Sequence, residues 1–188
     1  MGEMSELGPE DRQRLLDLAR AAIEARLRGR PRPEPELGAR LREPCGAFVT
    51  LRSRPDHDLR GCVGYIQPSL PLAESVAHAA LAAALEDTRF TPVTLEELPK
   101  LSLEISVLSP LAPIRPEQVR VGVHGLVLRH RGHSGLLLPQ VPVEHGWDRE
   151  TFLDHTCRKA GLDAGCWRHP DTKISAFTAE VFGDAEPR

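Results

Sequence analysis

The sequence predicts an α+β fold, an antiparallel sheet flanked by helices, and three observations carry that reading. Residues 101–109, LSLEISVLS, alternate strictly, with Leu101, Leu103, Ile105 and Val107 on one side and Glu104 and Ser106 on the other. GAFVTLRS (46–53) and LRGCVGYIQ (59–67) flank the turn-rich RPDHD, the pattern of a β-hairpin. The order α-β-β-α-β-β-β-α-β does not alternate as a doubly wound parallel sheet would, and short connections between neighbouring strands favour antiparallel pairing.

The elements follow in turn. Gly8-Pro9 followed by EDRQRLLDLARAAIEARLRG predicts a helix over 9–28: proline suits the first turn, Glu10 and Asp11 favour its positive end, and Gly29 stops it. Leu15, Ala19, Ala22, Ile23 and Leu27 form its apolar stripe. RPRPEPE (30–36) reads as a short stiff linker. After the hairpin, PLAESVAHAALAAALED is an Ala-rich helix from Pro71, with Leu72, Val76, Ala79, Ala80 and Ala83 on one face. Thr94 and Glu97 in TPVTLEELP make a capping-box pattern for one helical turn. Beyond the alternating strand, VRVGVHGLVLRHRGHSGLLLPQ gives short strands punctuated by glycines. Asp148 caps a helix over 149–160 that Gly161 ends, and KISAFTAEVF (173–182) is a closing strand.

At 188 residues, 40% hydrophobic and 27% charged, the chain is long enough to bury a substantial core. A net charge of -3 argues against a general nucleic-acid binder. Arginines cluster at 12–32, but acids are interleaved and aromatics are absent, which is the mark of a solvated helix face. No apolar run approaches a membrane span, and the acidic N-terminus lacks a secretory h-region. Cys45, Cys62, Cys157 and Cys166 form no CxxC pair and are too few for a disulfide scaffold. Reduced thiols in a cytoplasm are the expectation.

The hexapeptide Leu59-Arg60-Gly61-Cys62-Val63-Gly64 raises the functional question, because glycines weaken a strand. Two accounts are open. Glycines beside a thiol can admit a ligand or a bulge, and Arg60 can favour a thiolate if a bulge turns it toward Cys62. Otherwise Cys62 is a small core residue and the glycines serve sheet packing.

LRGCVGYIQ, EDTRF, LEISVLSP, HGLVLRHRG-HSGLLLPQV and EHGWDRETFLDHTCRKAG together resemble the AMME-syndrome candidate-region protein family, whose bacterial members are also called AmmeMemoRadiSam system protein A. The resemblance spans about residues 46–182 of a single family-type domain comprising 1–188. The family hallmark is Leu-Arg-Gly-Cys-Ile-Gly, from which this chain departs only at Val63. The resemblance implies two unequal lobes, with the chain leaving and re-entering the larger. It implies no established reaction, and no cofactor is expected. It does imply association with a Memo-type protein and a radical SAM enzyme in a multi-protein modification system; a membrane partner is not expected, because no apolar run is long enough to span.

A nucleophilic Cys62 needs a base and a group to hold developing charge. His145, in LPQVPVEHGWD, is the first candidate base, with Gln140 and Glu144 nearby in sequence as binding groups. In relatives the position of Gln140 tends to be Glu, so this chain would lack a general base there. Asp87 and Arg89 of EDTRF either bind ligand or pair to fix a helix exit. Arg60, Gly61 and Gly64 complete the binding set, and a cleft between the lobes is expected to gather these groups. His78 is expected at the core or its edge, and His130 and His133 in an exposed turn. No HxxxH helix or CxxC pair supports a metal site. Three readings therefore stand: a thiol-dependent enzyme or carrier, a non-catalytic binding module, and an RNA-associated factor that the charge disfavours.

Overall fold

The computed structural model describes residues 6–32 and 38–184, so the expected linker lies outside the described residues from 33 on. The chain divides into two compact units. Among the described residues, the larger holds those up to Leu108 and those from Glu180; the smaller is the intervening Ser109–Ala179.

In the larger unit, helix α1 spans Pro9–Leu27, one residue short of expectation, with Gly29 at φ 64 closing its end. Strands β1 (Gly46–Ser53) and β2 (Leu59–Tyr65) form the hairpin, ahead of helix α2 (Leu72–Leu85) and strand β3 (Leu101–Leu108). With β8 (Ala179–Gly183) these strands form a sheet in the order β2-β1-β3-β8, and β1 pairs antiparallel with both neighbours. One sheet face is apolar: Ala47, Val49 and Leu51 from β1 and Leu101, Leu103, Ile105 and Val107 from β3 are buried in the core with α1 and α2. Leu15 and Ile23 of α1 are fully buried, and truncating either to alanine costs about 2–5 kcal/mol.

Helix α2 is buried nearly all round rather than on one stripe. Its alanines let the neighbouring helix and strands approach closely, which is why the composition there is so biased. His78 is the exception, and it corrects the sequence reading: it is exposed and faces Glu74 at 3.8 Å. Arg12, Arg14 and Arg20 of α1 and its C-cap Arg28 sit in ion pairs, Arg14 with Glu10, Arg28 with Glu24, Arg12 with Glu180 and Arg20 with Asp184.

The smaller unit has its own sheet and core. Strands β4 (Ala112–Pro113), β5 (Gly125–His130), β6 (His133–Leu137) and β7 (Lys173–Phe177) order as β4-β7-β5-β6, all antiparallel. Helices α3 (Gln140–Glu144) and α4 (Arg149–Lys159) follow β6. Leu126, Leu128, Phe152, Leu153 and Ile174 centre the core. Asp148 caps α4 by accepting the Thr151 N–H at 2.8 Å. Residues 119–123 form no strand, contrary to expectation, and 121–123 make a turn. Residues 173–182, expected as one strand, fall in two, β7 and β8: Thr178 interrupts them, and the two strands belong to different sheets.

A disulfide joins Cys157 and Cys166, with Cα atoms 5.9 Å apart, which corrects the expectation of four reduced thiols. The pair is nine residues apart, and the turn after α4 brings the chain back on itself, so a CxxC search misses it. Cys45 and Cys62 are not bridged. No helix among the described residues is long and apolar enough to cross a membrane.

Candidate functional site

Strand β2 lies at the edge of the larger sheet, so one side of its backbone has no strand partner. Its register against β1 slips where Arg52 faces Leu59 and Leu51 faces Gly61, leaving Arg60 as the extra residue of a β-bulge. The bulge therefore precedes Cys62 by two residues.

Cross-strand partners share a face. Gly61 pairs with Leu51 on the core side, and a Cβ there would overlap the backbone carbonyl of Ala83 in α2. Gly64 pairs with Phe48, and a Cβ there would overlap the Phe48 ring and the Ala47 carbonyl. The protein's own atoms take the space both glycines leave. This corrects the idea that Gly61 and Gly64 clear a path to the thiol: they let β2 press against α2 and Phe48.

Cys62 pairs with Thr50, and Thr50 pairs on its other side with Glu104. Thiol, hydroxyl and carboxylate thus form a row across β2, β1 and β3, on the sheet face opposite the α1–α2 core. The Thr50 hydroxyl donates to Cys62 Sγ at 3.3 Å. Cys62 is half-buried, whereas Cys45 is buried and donates its thiol to the Leu108 carbonyl at 3.2 Å. Burial pushes the Cys45 thiol up, against the opposing pull of Arg40.

Arg60 does not serve the thiol. Its bulged position aims it at Glu97, which accepts from Nε at 2.6 Å and Nη2 at 3.1 Å, and Nη2 also donates to the Thr91 carbonyl at 2.8 Å. Glu97 keeps the expected capping contact as well, taking the Thr94 hydroxyl as acceptor for its own N–H at 3.3 Å.

The cation nearer the thiol is Arg89. Asp87 Oδ2 accepts the Cys62 N–H at 2.9 Å, and Arg89 reaches the Cys62 carbonyl with a long 3.4 Å contact. Arg89 also grips Asp87, through Nε to Oδ1 at 2.9 Å and Nη2 to Oδ2 at 2.7 Å. These bonds are the main reason the Asp87 carboxyl is held well below the usual carboxylate range; the Cys62 and Arg89 N–H groups add to them and burial opposes them. Arg89 is shifted up in turn, first by Asp87, with a smaller electrostatic contribution from Cys62. EDTRF therefore works as a clamp on the backbone that carries the thiol.

Gln140, Glu144 and His145 belong to the smaller unit, and Cys62, Arg60, Asp87 and Arg89 to the larger. Gln140 begins α3, Glu144 ends it and His145 is its C-cap. The His145 ring stacks on Trp147 at 4.8 Å, and Trp147 stacks on His155 at 3.8 Å, a three-ring column the sequence reading did not find. His130 and His133 are the last pair of the β5–β6 hairpin; His130 contacts the Thr172 hydroxyl at 2.9 Å and packs edge-on to His169. His124 is buried, accepts the Arg120 N–H at 3.1 Å, and is pushed down by burial first and Arg120 second. No cluster of three or more His, Cys, Asp or Glu suited to a metal ion occurs among the described residues.

Thr50, Glu97 and Glu104 were missed from the sequence. The signal for Thr50 is the hairpin register, readable only once the bulge at Arg60 is known, that for Glu104 is the pairing of β1 with β3, and Glu97 was visible only as a capping residue.

A family model described as AMMECR1 matches residues 16–182. A protein from Thermococcus gammatolerans is 50% identical over 185 residues, covering 93% of this chain and 90% of its own length. Protein PH0010 from Pyrococcus horikoshii is 46% identical over 185 residues, with the same coverage. The crystal structure of that uncharacterized protein superposes with a TM-score of 0.84, covering 92% of this chain and 91% of its own.

Proposed function

The chain belongs to the AMMECR1 family, and from that premise we propose that its work is done by a thiol site centred on Cys62. One observation carries the reading: Cys62 Sγ sits half-buried on the sheet face opposite the helical core, accepts a hydrogen bond from Thr50, and has the Arg89 guanidinium bound to its own backbone. A hydroxyl donor at 3.3 Å and a guanidinium on the adjoining backbone place two polar groups beside the sulfur, where they can hold charge that develops as it attacks an electrophile. The clamp by Asp87 fixes the backbone and so the direction of the thiol. Cys62 is then the nucleophile toward an electrophilic carbon, the thiol proton passing to solvent and the displaced group leaving with the bonding pair. Memo-type and radical SAM proteins, as the resemblance implies for bacterial relatives, are the proposed partners in such a modification system.

A quieter reading rests on Gly61, Gly64 and Arg60, all of which are consumed by internal packing and pairing. In it, the same face binds a partner or ligand without chemistry. Alkylation with iodoacetamide at neutral pH, read by mass spectrometry, separates the two. The thiol reading expects Cys62 to react well ahead of Cys45, and the rate at Cys62 to fall several-fold in Arg89→Gln and Thr50→Val while circular dichroism stays native. A Cys62 as slow as Cys45, or one indifferent to both substitutions, leaves the binding module as the better account.

A further inference from the structure

We propose that the polar face of the larger sheet binds a small zwitterion of amino-acid or dipeptide size, in a cavity beside the Cys62 row. The proposal extends the thiol reading by naming the class of molecule that face takes.

The cavity measures about 430 Å³ and lies wholly within the larger unit, at the turn end of the β1–β2 hairpin. Arg52, Arg54, His57, Ser102, Glu104 and Asp184 line it. Its size is within the range of small-molecule sites.

The charges decide what fits. Asp184 is already committed: its Oδ2 accepts from Arg20 Nη2 at 2.6 Å and from the Leu103 N–H at 3.0 Å. Arg54 approaches that same oxygen only at 3.6 Å, and Arg52 donates a single 3.3 Å bond to the His57 carbonyl. Both guanidiniums keep donors to spend. Glu104 makes no ion pair and no side-chain hydrogen bond among the described residues.

The register makes this arrangement unusual. Thr50 pairs with Glu104 and Arg52 with Ser102, so Arg52 and Glu104 are diagonal neighbours on one face. Such positions lie about 7–8 Å apart, within reach of two long side chains. Here the two side chains stand on the cavity wall without pairing. An anion alone would satisfy the arginines and meet Glu104 as a like charge, and a cation alone would do the reverse. A molecule carrying both an ammonium and a carboxylate satisfies both sides. Glu104 also belongs to the Cys62–Thr50–Glu104 row, so the ammonium end would lie toward the thiol and the carboxylate end toward the hairpin turn.

The test is calorimetric titration of the whole chain with three probes: alanyl-alanine, N-acetyl-alanyl-alanine and alanyl-alanine amide. The expected result is saturable binding of the uncapped dipeptide, weakened about tenfold or more by either cap, which is 1.4 kcal/mol. Glu104→Gln should erase the penalty of the acetyl cap and keep that of the amide. Arg52→Gln combined with Arg54→Gln should do the opposite. No saturable binding of alanyl-alanine up to about 10 mM, equal binding of capped and uncapped forms, or unchanged discrimination in the variants overturns the proposal. Equilibrium binding is independent of thiol reactivity: dipeptide binding with an inert Cys62 removes the thiol reading alone, and a reactive Cys62 with no dipeptide binding removes this one alone.

Discussion

Asp87 Oδ2 accepts the backbone N–H of Cys62 at 2.9 Å, so a single carboxylate does for the edge of β2 what a neighbouring strand would otherwise do. The sheet edge is thereby closed at the residue that carries the thiol, and edges left open invite pairing with other chains.

Replacing Asp87 by Asn should therefore cost stability and change its acid dependence. The loss should be about 1–3 kcal/mol, since Arg89 loses its charged partner and a buried acceptor is weakened. Because the folded-state carboxyl is held below its ordinary value of 3.8, its contribution is fully present above that pH and disappears as pH falls further. Chemical denaturation between pH 6 and the acid limit should show the native protein losing this increment while Asp87→Asn lacks it. Parallel curves for the two proteins would contradict the assignment.

Gly61→Ala should destabilise the larger unit by about 1–3 kcal/mol, because the new methyl meets the Ala83 backbone carbonyl, which cannot rotate aside as a side chain would. Thermal unfolding measures it directly. A neutral substitution would mean that β2 and α2 can separate without penalty.

The smaller unit has its own pH signature. His124 is shifted below its ordinary 6.5, by burial first and by Arg120 second. The unfolded chain takes up the proton first on acidification, so stability from this group is full above about pH 6.5 and declines as pH falls below it. His124→Asn keeps an acceptor for the Arg120 N–H and should flatten that decline. An equal slope in both proteins would assign it to another group.

The disulfide predicts a thiol count. Under denaturing conditions without reductant only Cys45 and Cys62 should be alkylated, and reduction should add Cys157 and Cys166. Closing a loop of this length contributes about 2–3 kcal/mol, so reductant should lower the melting of the smaller unit. Four labelled cysteines before reduction would refute the bridge.

Much of the larger unit was legible because its signals are local. The alternation of residues 101–107 gave β3, Pro9 and Gly29 framed α1, and the hairpin was read within two residues of its limits. The site was less so. Arg60 and Cys62 stand in one short motif, yet a one-residue bulge sends Arg60 to Glu97, and Arg89 takes the place beside the thiol. Thr50 and Glu104 join Cys62 through strand pairing, which sequence spacing does not encode. The disulfide and the break at Thr178 likewise depend on how distant segments return.

The division of the larger sheet between the two ends of the described chain also bears on biosynthesis. Strands β1 to β3 leave the ribosome early, but the strand beside β3 is β8, which follows the entire smaller unit. Until then β3 presents an open edge, and Arg12 and Arg20 await the carboxylates of Glu180 and Asp184. The smaller unit is continuous in sequence and can fold as soon as it emerges. The nascent chain can thus complete its inserted part before the part that began first, and its early half keeps an unpaired strand edge until the closing strand arrives.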